Sequence, residues 1–93
     1  MAYTIKTTQE GLIYIKASVI IRIGKPNSVD GAKVLGFPLI INAEQINFLS
    51  FDTESKVTYF MSNGFQISMK VLYEEAEEAL RMAKSNIEKI IKQ

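Results

Sequence analysis

Strict alternation of apolar residues over eleven positions constrains the fold more than any other feature of this sequence. The apolar series consists of Ile13, Ile15, Ala17, Val19, Ile21 and Ile23. A repeat of two is the repeat of a β-strand, whose successive side chains point to opposite faces, and β-branched residues favour strands. The pattern predicts one strand over about 12–23. At roughly 3.3 Å per residue it extends about 36 Å, so we expect it to bend or coil.

Shorter segments with the same alternation predict the remaining strands. They cover about residues 2–8, 33–41, 46–51, 56–61 and 65–71. Asn63-Gly64 separates the last two and favours a type I′ hairpin turn, because both residues tolerate positive φ. Asn42 followed by Gln45 indicates a capped helical turn.

After Leu72 the apolar spacing changes to three and four residues, which predicts an amphipathic helix over about 73–91. Its stripe comprises Leu72, Ala76, Ala79, Leu80, Ala83, Ile87, Ile90 and Ile91. Glutamates come first and lysines last, an order that suits the helix dipole. Alanines in the first half allow close approach to a sheet. If Ile87, Ile90 and Ile91 overhang that sheet, they form an exposed apolar patch and are the candidate dimer contact.

These elements predict an α+β fold. It is a curved, mainly antiparallel sheet of five to six strands, packed by one C-terminal amphipathic helix. A chain of 93 residues has room for one core, so residues 1–93 are expected to form a single domain.

Composition narrows the classes of function. The chain has no cysteine and no histidine, so a thiolate or imidazole metal site, a cysteine nucleophile and a histidine-based triad are excluded. The acids outside the helix fall in predicted turns, where carboxylates are usually solvated. We therefore expect no enzyme, no cofactor and no metal. No apolar run approaches the ~20 residues that span a bilayer, and the first ten residues lack a signal-peptide pattern. The expected location is the cytoplasm, with no membrane partner.

Basic residues occupy outward positions of the predicted strands, and no acid does. Together with two aromatic residues they form the candidate sheet-face site, which comprises Tyr14, Lys16, Arg22, Lys56, Phe60 and Lys70. Lysines alternating with aromatic rings can bind single-stranded nucleic acid. Lysines also keep a sheet soluble and protect its edges, and a net charge of +1 favours this second interpretation. The loop over 24–31, together with Lys33 just after it, adds a candidate contact at Lys25, Asn27 and Lys33.

One stretch resembles a known family. It runs Gly36-Phe37-Pro38-Leu39-Ile40-Ile41-Asn42-Ala43-Glu44-Gln45-Ile46-Asn47-Phe48-Leu49, then Val57-Thr58-Tyr59-Phe60-Met61-Ser62-Asn63-Gly64, then a strand and an acidic helix. Residues 36–84 thereby resemble the small flagellar FlbD-type (swarming-motility) proteins. The resemblance implies a non-enzymatic accessory protein in motility. The order of four strands and a helix is also similar, in topology alone, to Whirly-type single-strand binders.

The sequence therefore predicts a small non-enzymatic binding module that acts through protein–protein contacts, with a protein partner or a second copy in a homodimer. The alternative is single-stranded nucleic-acid binding through the basic outer face of the sheet.

Overall fold

The computed structural model describes residues 3–17, 19–22, 33–35, 38–51 and 57–93, with the backbone alone for 19–22 and 33–35. Within these residues the chain forms nine strands, one α-helix and one 3₁₀ turn. In chain order they are β1 (Thr4–Thr7), β2 (Leu12–Lys16), β3 (Val19–Arg22), β4 (Lys33–Leu35), β5 (Leu39–Asn42), the 3₁₀ turn (Ala43–Gln45), β6 (Ile46–Phe51), β7 (Val57–Met61), β8 (Gln66–Met69), α1 (Tyr73–Lys84) and β9 (Lys89–Lys92). The predicted α+β class is confirmed.

The strands form two antiparallel sheets. Sheet 1 has four strands in the order β5-β2-β1-β9, and sheet 2 has five in the order β4-β3-β8-β7-β6. The chain passes from one sheet to the other four times: between β2 and β3, between β4 and β5, through the 3₁₀ turn between β5 and β6, and through α1 between β8 and β9. The prediction of one curved sheet of five to six strands is therefore wrong.

The long strand predicted over 12–23 divides into β2 of sheet 1 and β3 of sheet 2. An unbroken strand of about 36 Å would have equalled the longest dimension of the whole molecule, which is 35 Å. The strand predicted over 33–41 divides in the same way, into β4 and β5. Gly36 and Pro38 marked the second break in the sequence, since both residues interrupt strands. The first break was not visible, because periodicity reports alternation along a strand but not the partner of each half.

The core lies between the inner face of sheet 1, α1 and the inner face of sheet 2. The buried residues of β1, β2 and β5 are Ile5, Thr7, Ile13, Ile15 and Ile41, and those of α1 are Ala76, Ala79 and Ala83. Small alanine side chains let the helix backbone approach the sheets closely. The buried Tyr59 of β7 reaches that backbone, and its hydroxyl donates to the Ala76 carbonyl oxygen at 2.6 Å.

The helix ends at Lys84, so its predicted extension to residue 91 is wrong. Asn86 adopts a left-handed conformation with φ 57°. Its N–H donates to the Ala83 carbonyl at 3.0 Å, and the N–H of Ile87 donates to the Met82 carbonyl at 2.9 Å. These bonds satisfy the last helical carbonyls and turn the chain back. Residues 89–92 then pair with β1 as β9.

Both predicted turns exist, and one differs in type. The N–H of Glu44 donates to the Asn42 side chain at 3.0 Å, which confirms the capped helical turn. The hairpin at Asn63-Gly64 is confirmed, but type I′ is wrong because only Gly64 has positive φ. The N–H of Met61 donates to the Phe65 carbonyl at 2.8 Å across a three-residue loop. A single glycine with positive φ suffices for such a loop.

Candidate functional site

A row of four residues crosses the outer face of sheet 1, the face turned away from α1. Tyr14 of β2 pairs with Ile40 of β5 on one side and with Lys6 of β1 on the other, and Lys6 pairs with Ile90 of β9. Directly opposed residues of antiparallel strands share a face. The order across the sheet is therefore Ile40, Tyr14, Lys6, Ile90, and we call these four residues the outer row.

The two ends of the outer row are exposed apolar side chains. Ile40 is 63% exposed and Ile90 is 60% exposed, although residues of their type are usually buried. Alternation explains both positions: Ile41 and Ile91 turn inward towards the core, so Ile40 and Ile90 turn outward. Neighbouring strands lie about 4.8 Å apart, which places the two isoleucines roughly 14 Å from each other.

The middle of the outer row is cationic. Lys6 Nζ lies 4.7 Å from the centroid of the half-buried Tyr14 ring, within the range of a cation–π interaction. Lys16 is exposed two residues beyond Tyr14 on the same face. The four strands of sheet 1 contain four lysines, Lys6, Lys16, Lys89 and Lys92, and no acidic residue. An approaching group therefore meets positive charge between two apolar ends.

The six residues of the predicted sheet-face site do not form one surface. Tyr14 and Lys16 lie on sheet 1, whereas Phe60 lies on β7 of sheet 2. Lys70 follows β8 and is exposed. Arg22 ends β3, also in sheet 2. Lys56 lies outside the described residues. The prediction assumed a single sheet, and the division of the strands between two sheets separates its members.

The other predicted contacts have different outcomes. Lys25 and Asn27 lie outside the described residues, and Lys33 begins β4 in sheet 2. The dimer contact was placed on the end of a helix, which is wrong, because Ile90 and Ile91 belong to strand β9. Ile91 packs against the core, Ile90 belongs to the outer row, and Ile87 is exposed after the helix cap.

Sequence reasoning missed a second apolar surface, at the edge of sheet 2. Phe48 of β6 is 55% exposed and stacks on Phe60, with ring centroids 4.3 Å apart and planes inclined by 12°. Phe51 at the end of the same strand is 57% exposed and meets Tyr73 edge to face at 6.0 Å. The sequence feature that could have predicted this surface is that residues 46–51 contain two phenylalanines and no charged residue.

A groove of about 900 Å³ adjoins Phe51, and Tyr3, Leu72 and Tyr73 also line it. The Tyr3 hydroxyl donates to Glu75 Oε1 and accepts from the N–H of Leu72. Burial, and then the hydrogen bond to Glu75, raise the pKa of Tyr3. Its polar atom is thus occupied within the chain, and the groove presents mainly apolar surface, with Lys70 and Glu74 as its charged lining residues.

Groups suited to acid–base or metal chemistry do not gather in the described residues. No three His, Cys, Asp or Glu residues lie close enough there to hold a metal ion. Burial raises the pKa of Tyr59, which keeps its phenol protonated and bonded to α1. Within the same part of the chain, every buried side-chain nitrogen and oxygen has a hydrogen-bond partner.

Among the described residues, no helix has the length and apolar character required to cross a membrane. No protein-family model, curated protein or solved structure matches this chain. The resemblance of residues 36–84 to the FlbD-type proteins therefore stays a prediction.

Proposed function

We propose that this chain is a non-enzymatic binding module whose outer row binds a protein partner. The observation that carries the proposal is the outer row itself, in which two exposed isoleucines flank Tyr14 and Lys6. Exposed apolar side chains that align across a sheet are typical of interaction surfaces, and an aromatic ring with a cation beside it is typical of their centres.

The charge of this surface favours an acidic partner. Lys6 and Lys16 lie on the outer face, and the strands beneath it contain no carboxylate. A second copy that packed face to face would bring lysines near lysines, and such like-charge contacts are unfavourable. We therefore infer that the partner is a different protein and that it places a carboxylate near Lys6.

The spacing of the row fits an amphipathic helix laid across the strands. Its four residues occur at about 0, 5, 10 and 14 Å, one strand spacing apart. Helix positions i, i+3, i+7 and i+10 lie on one face and rise by about 0, 4.5, 10.5 and 15 Å. A helix with apolar, apolar, acidic and apolar residues at these positions would meet Ile40, Tyr14, Lys6 and Ile90 in turn.

Single-stranded nucleic acid is the second candidate, and Lys6 and Lys16 on the outer face of sheet 1 favour it, whereas Lys89 is already paired with Glu78 of α1. Two contacts count against it. The Tyr14 ring already has Lys6 beside it, and Phe60 stacks on Phe48 in the other sheet. Continuous stacking of bases would need rings that share one face. The FlbD-type resemblance supports the first candidate, because it implies a non-enzymatic accessory role, which we expect in the cytoplasm.

The test is a titration with a synthetic helical peptide of about 20 residues that carries Leu, Leu, Glu and Leu at the four positions. We expect binding, and we expect Lys6→Glu to weaken it at least tenfold, that is by about 1.4 kcal/mol or more. Ile90→Ser should weaken it as well. Lys70→Glu is the matched control, because it changes the same charge away from the outer row, and it should leave the affinity unchanged.

A peptide with the same composition in scrambled order and a single-stranded oligonucleotide complete the experiment. Equal binding of the scrambled peptide would contradict recognition by the outer row. Binding of the oligonucleotide in place of the peptide, lost on Lys6→Glu and steeply dependent on salt, would establish the second candidate.

A further inference from the structure

The β6 strand forms an edge of sheet 2 whose protection against pairing is limited to a register shift near its start, between Ile46 and Phe48. β7 is its neighbour on one side, and among the described residues no strand lies on the other. Natural edge strands are commonly protected by lysine, proline, a β-bulge or a short length. β6 has six residues, Ile-Asn-Phe-Leu-Ser-Phe, without a charge or a proline. By contrast, β9 at the edge of sheet 1 begins and ends with lysine.

Hydrogen-bond alternation identifies which β6 backbone groups point outward. The N–H of Met61 donates to the Phe65 carbonyl, so the backbone groups of Met61 face β8. Backbone N–H and C=O groups of successive residues point to opposite sides of a strand. The backbone groups of Phe60 and Thr58 therefore face β6, where these residues pair with Phe48 and Ser50.

The residues between these pairs, Leu49 and Phe51, therefore direct their N–H and C=O groups away from β7. In the part of the chain that the structure describes, no other residue bonds to them. Two backbone donors and two acceptors are thus arranged along the outer side of β6 as a further strand would require.

We propose that β6 pairs with β6 of a second copy, antiparallel about a two-fold axis, to join two five-stranded sheets. Self-pairing suits this strand because it contains no charge, so no like charges come together. The same pairing of β9 would place Lys89 against Lys92 of the other copy. The net charge of +1 adds little long-range repulsion between copies.

A two-fold axis at Ser50 uses the outward groups most fully. It opposes Ser50 to Ser50 of the second copy and Leu49 to Phe51 of the second copy, and it avoids the register shift at the start of β6. Leu49 and Phe51 then form hydrogen-bonded pairs, and Ser50 forms a non-hydrogen-bonded pair, whose Cα atoms lie about 4.5 Å apart. Phe48 and Phe51, both exposed in one copy, approach the other copy in this arrangement.

Sedimentation equilibrium over a wide concentration range is the first measurement, and we expect a reversible dimer. Leu49→Pro removes one outward N–H from each copy and should weaken the dimer roughly 30-fold, because two hydrogen bonds are lost. Leu49→Ala is the matched control, since it shortens the same side chain and keeps the N–H. It should weaken the dimer much less than Leu49→Pro. A monomer at every concentration, or equal effects of the two variants, would overturn the proposal.

Cysteine cross-linking tests the register without depending on the proline variant, which risks unfolding the strand. The chain has no cysteine of its own. Ser50→Cys should form a disulfide-linked dimer on mild oxidation, because its Cα spacing lies within the range of about 4.4–6.8 Å that disulfides require. Leu49→Cys should not, since Leu49 faces Phe51 of the second copy. Efficient cross-linking at both positions or at neither would contradict the pairing.

This inference concerns a surface other than the outer row, so the two proposals fail separately. A chain that stays monomeric can still bind the peptide through the outer row. A chain that binds no peptide can still form the dimer through β6.

Discussion

The outer row of sheet 1 and the β6 edge of sheet 2 are both exposed and apolar, and they differ in charge. The outer row has Lys6 at its middle and Lys16 beside it. The β6 strand has no charge at all. A cationic surface repels a copy of itself and attracts an acidic partner, whereas an uncharged strand edge can pair with its own copy. The two proposals therefore assign a different kind of partner to each surface.

The two surfaces also differ in which atoms meet a partner. The outer row offers side chains, because the backbone groups of β1 and β2 are bonded within sheet 1. The β6 edge offers backbone groups of Leu49 and Phe51. Side chains confer selectivity for a particular partner, whereas backbone pairing depends on strand shape and on the absence of repelling charges.

The largest expected effect separates the two faces of sheet 1. Ile13 is fully buried and Ile40 is largely exposed, although both lie in sheet 1. Ile13→Ala should lower the free energy of unfolding by about 3 kcal/mol, because it leaves a cavity in the core. Ile40→Ala should change it by less than about 0.5 kcal/mol. Urea denaturation of the two variants measures both values. A large loss of stability for Ile40→Ala would mean that the outer row is part of the core.

A smaller effect concerns the core that both surfaces share. Burial raises the pKa of Tyr59 in the folded chain above its unfolded value of about 10. Above pH 10 the unfolded phenol loses its proton while the folded one keeps it. The free energy of unfolding should therefore fall as pH rises, by up to about 1.4 kcal/mol per pH unit from this group. Below pH 10 Tyr59 is protonated in both the folded and the unfolded chain, so its full contribution to the free energy of unfolding is present.

Tyr59→Phe is the control for that pH dependence. The variant should lose about 1 kcal/mol of stability at neutral pH with the hydrogen bond to Ala76, and its stability should fall less steeply above pH 10. Thermal unfolding at pH 7 to 11 compares the two chains. Equal slopes would show that Tyr59 does not titrate as its burial requires.

The smallest expected effect is the response to salt, and it distinguishes the two surfaces directly. Peptide binding by the outer row should weaken a few-fold between about 50 and 500 mM NaCl, because exposed charges are screened. Dimer formation through β6 should change little, because that strand has no charge. Parallel titration and sedimentation at both salt concentrations provide the comparison. The same salt dependence for both would mean that one surface serves both contacts.

The sequence predicted local structure well where local chemistry decides it. The alternation of Ile13 and Ile15, the cap at Asn42 and the alanine stripe of α1 all have the expected positions. Within α1, Glu77 and Arg81 are four positions apart and form an ion pair, with Arg81 Nε 3.4 Å from Glu77 Oε1. Each of these depends on residues a few positions apart, so the pattern contains the information.

Pairing between distant strands could not be predicted from the same patterns. The break between β2 and β3 depends on which partner each half finds, and alternation continues across it. The end of α1 had a local signal at Asn86, because asparagine favours the left-handed conformation that ends a helix. The apolar residues that follow Ala83, namely Ile87, Ile90 and Ile91, have helical spacing and therefore predicted a longer helix. The outer row joins residues from four strands, so it became visible only with the register.

The most direct test of the outer row is an NMR titration of the dilute chain with the acidic helical peptide, followed at each assigned amide. The account predicts that the largest shift changes occur at Lys6, Tyr14, Ile40 and Ile90, with little change at Leu49 and Phe51. Changes concentrated on β6 or in the groove beside Tyr73, or none at saturating peptide, would contradict it.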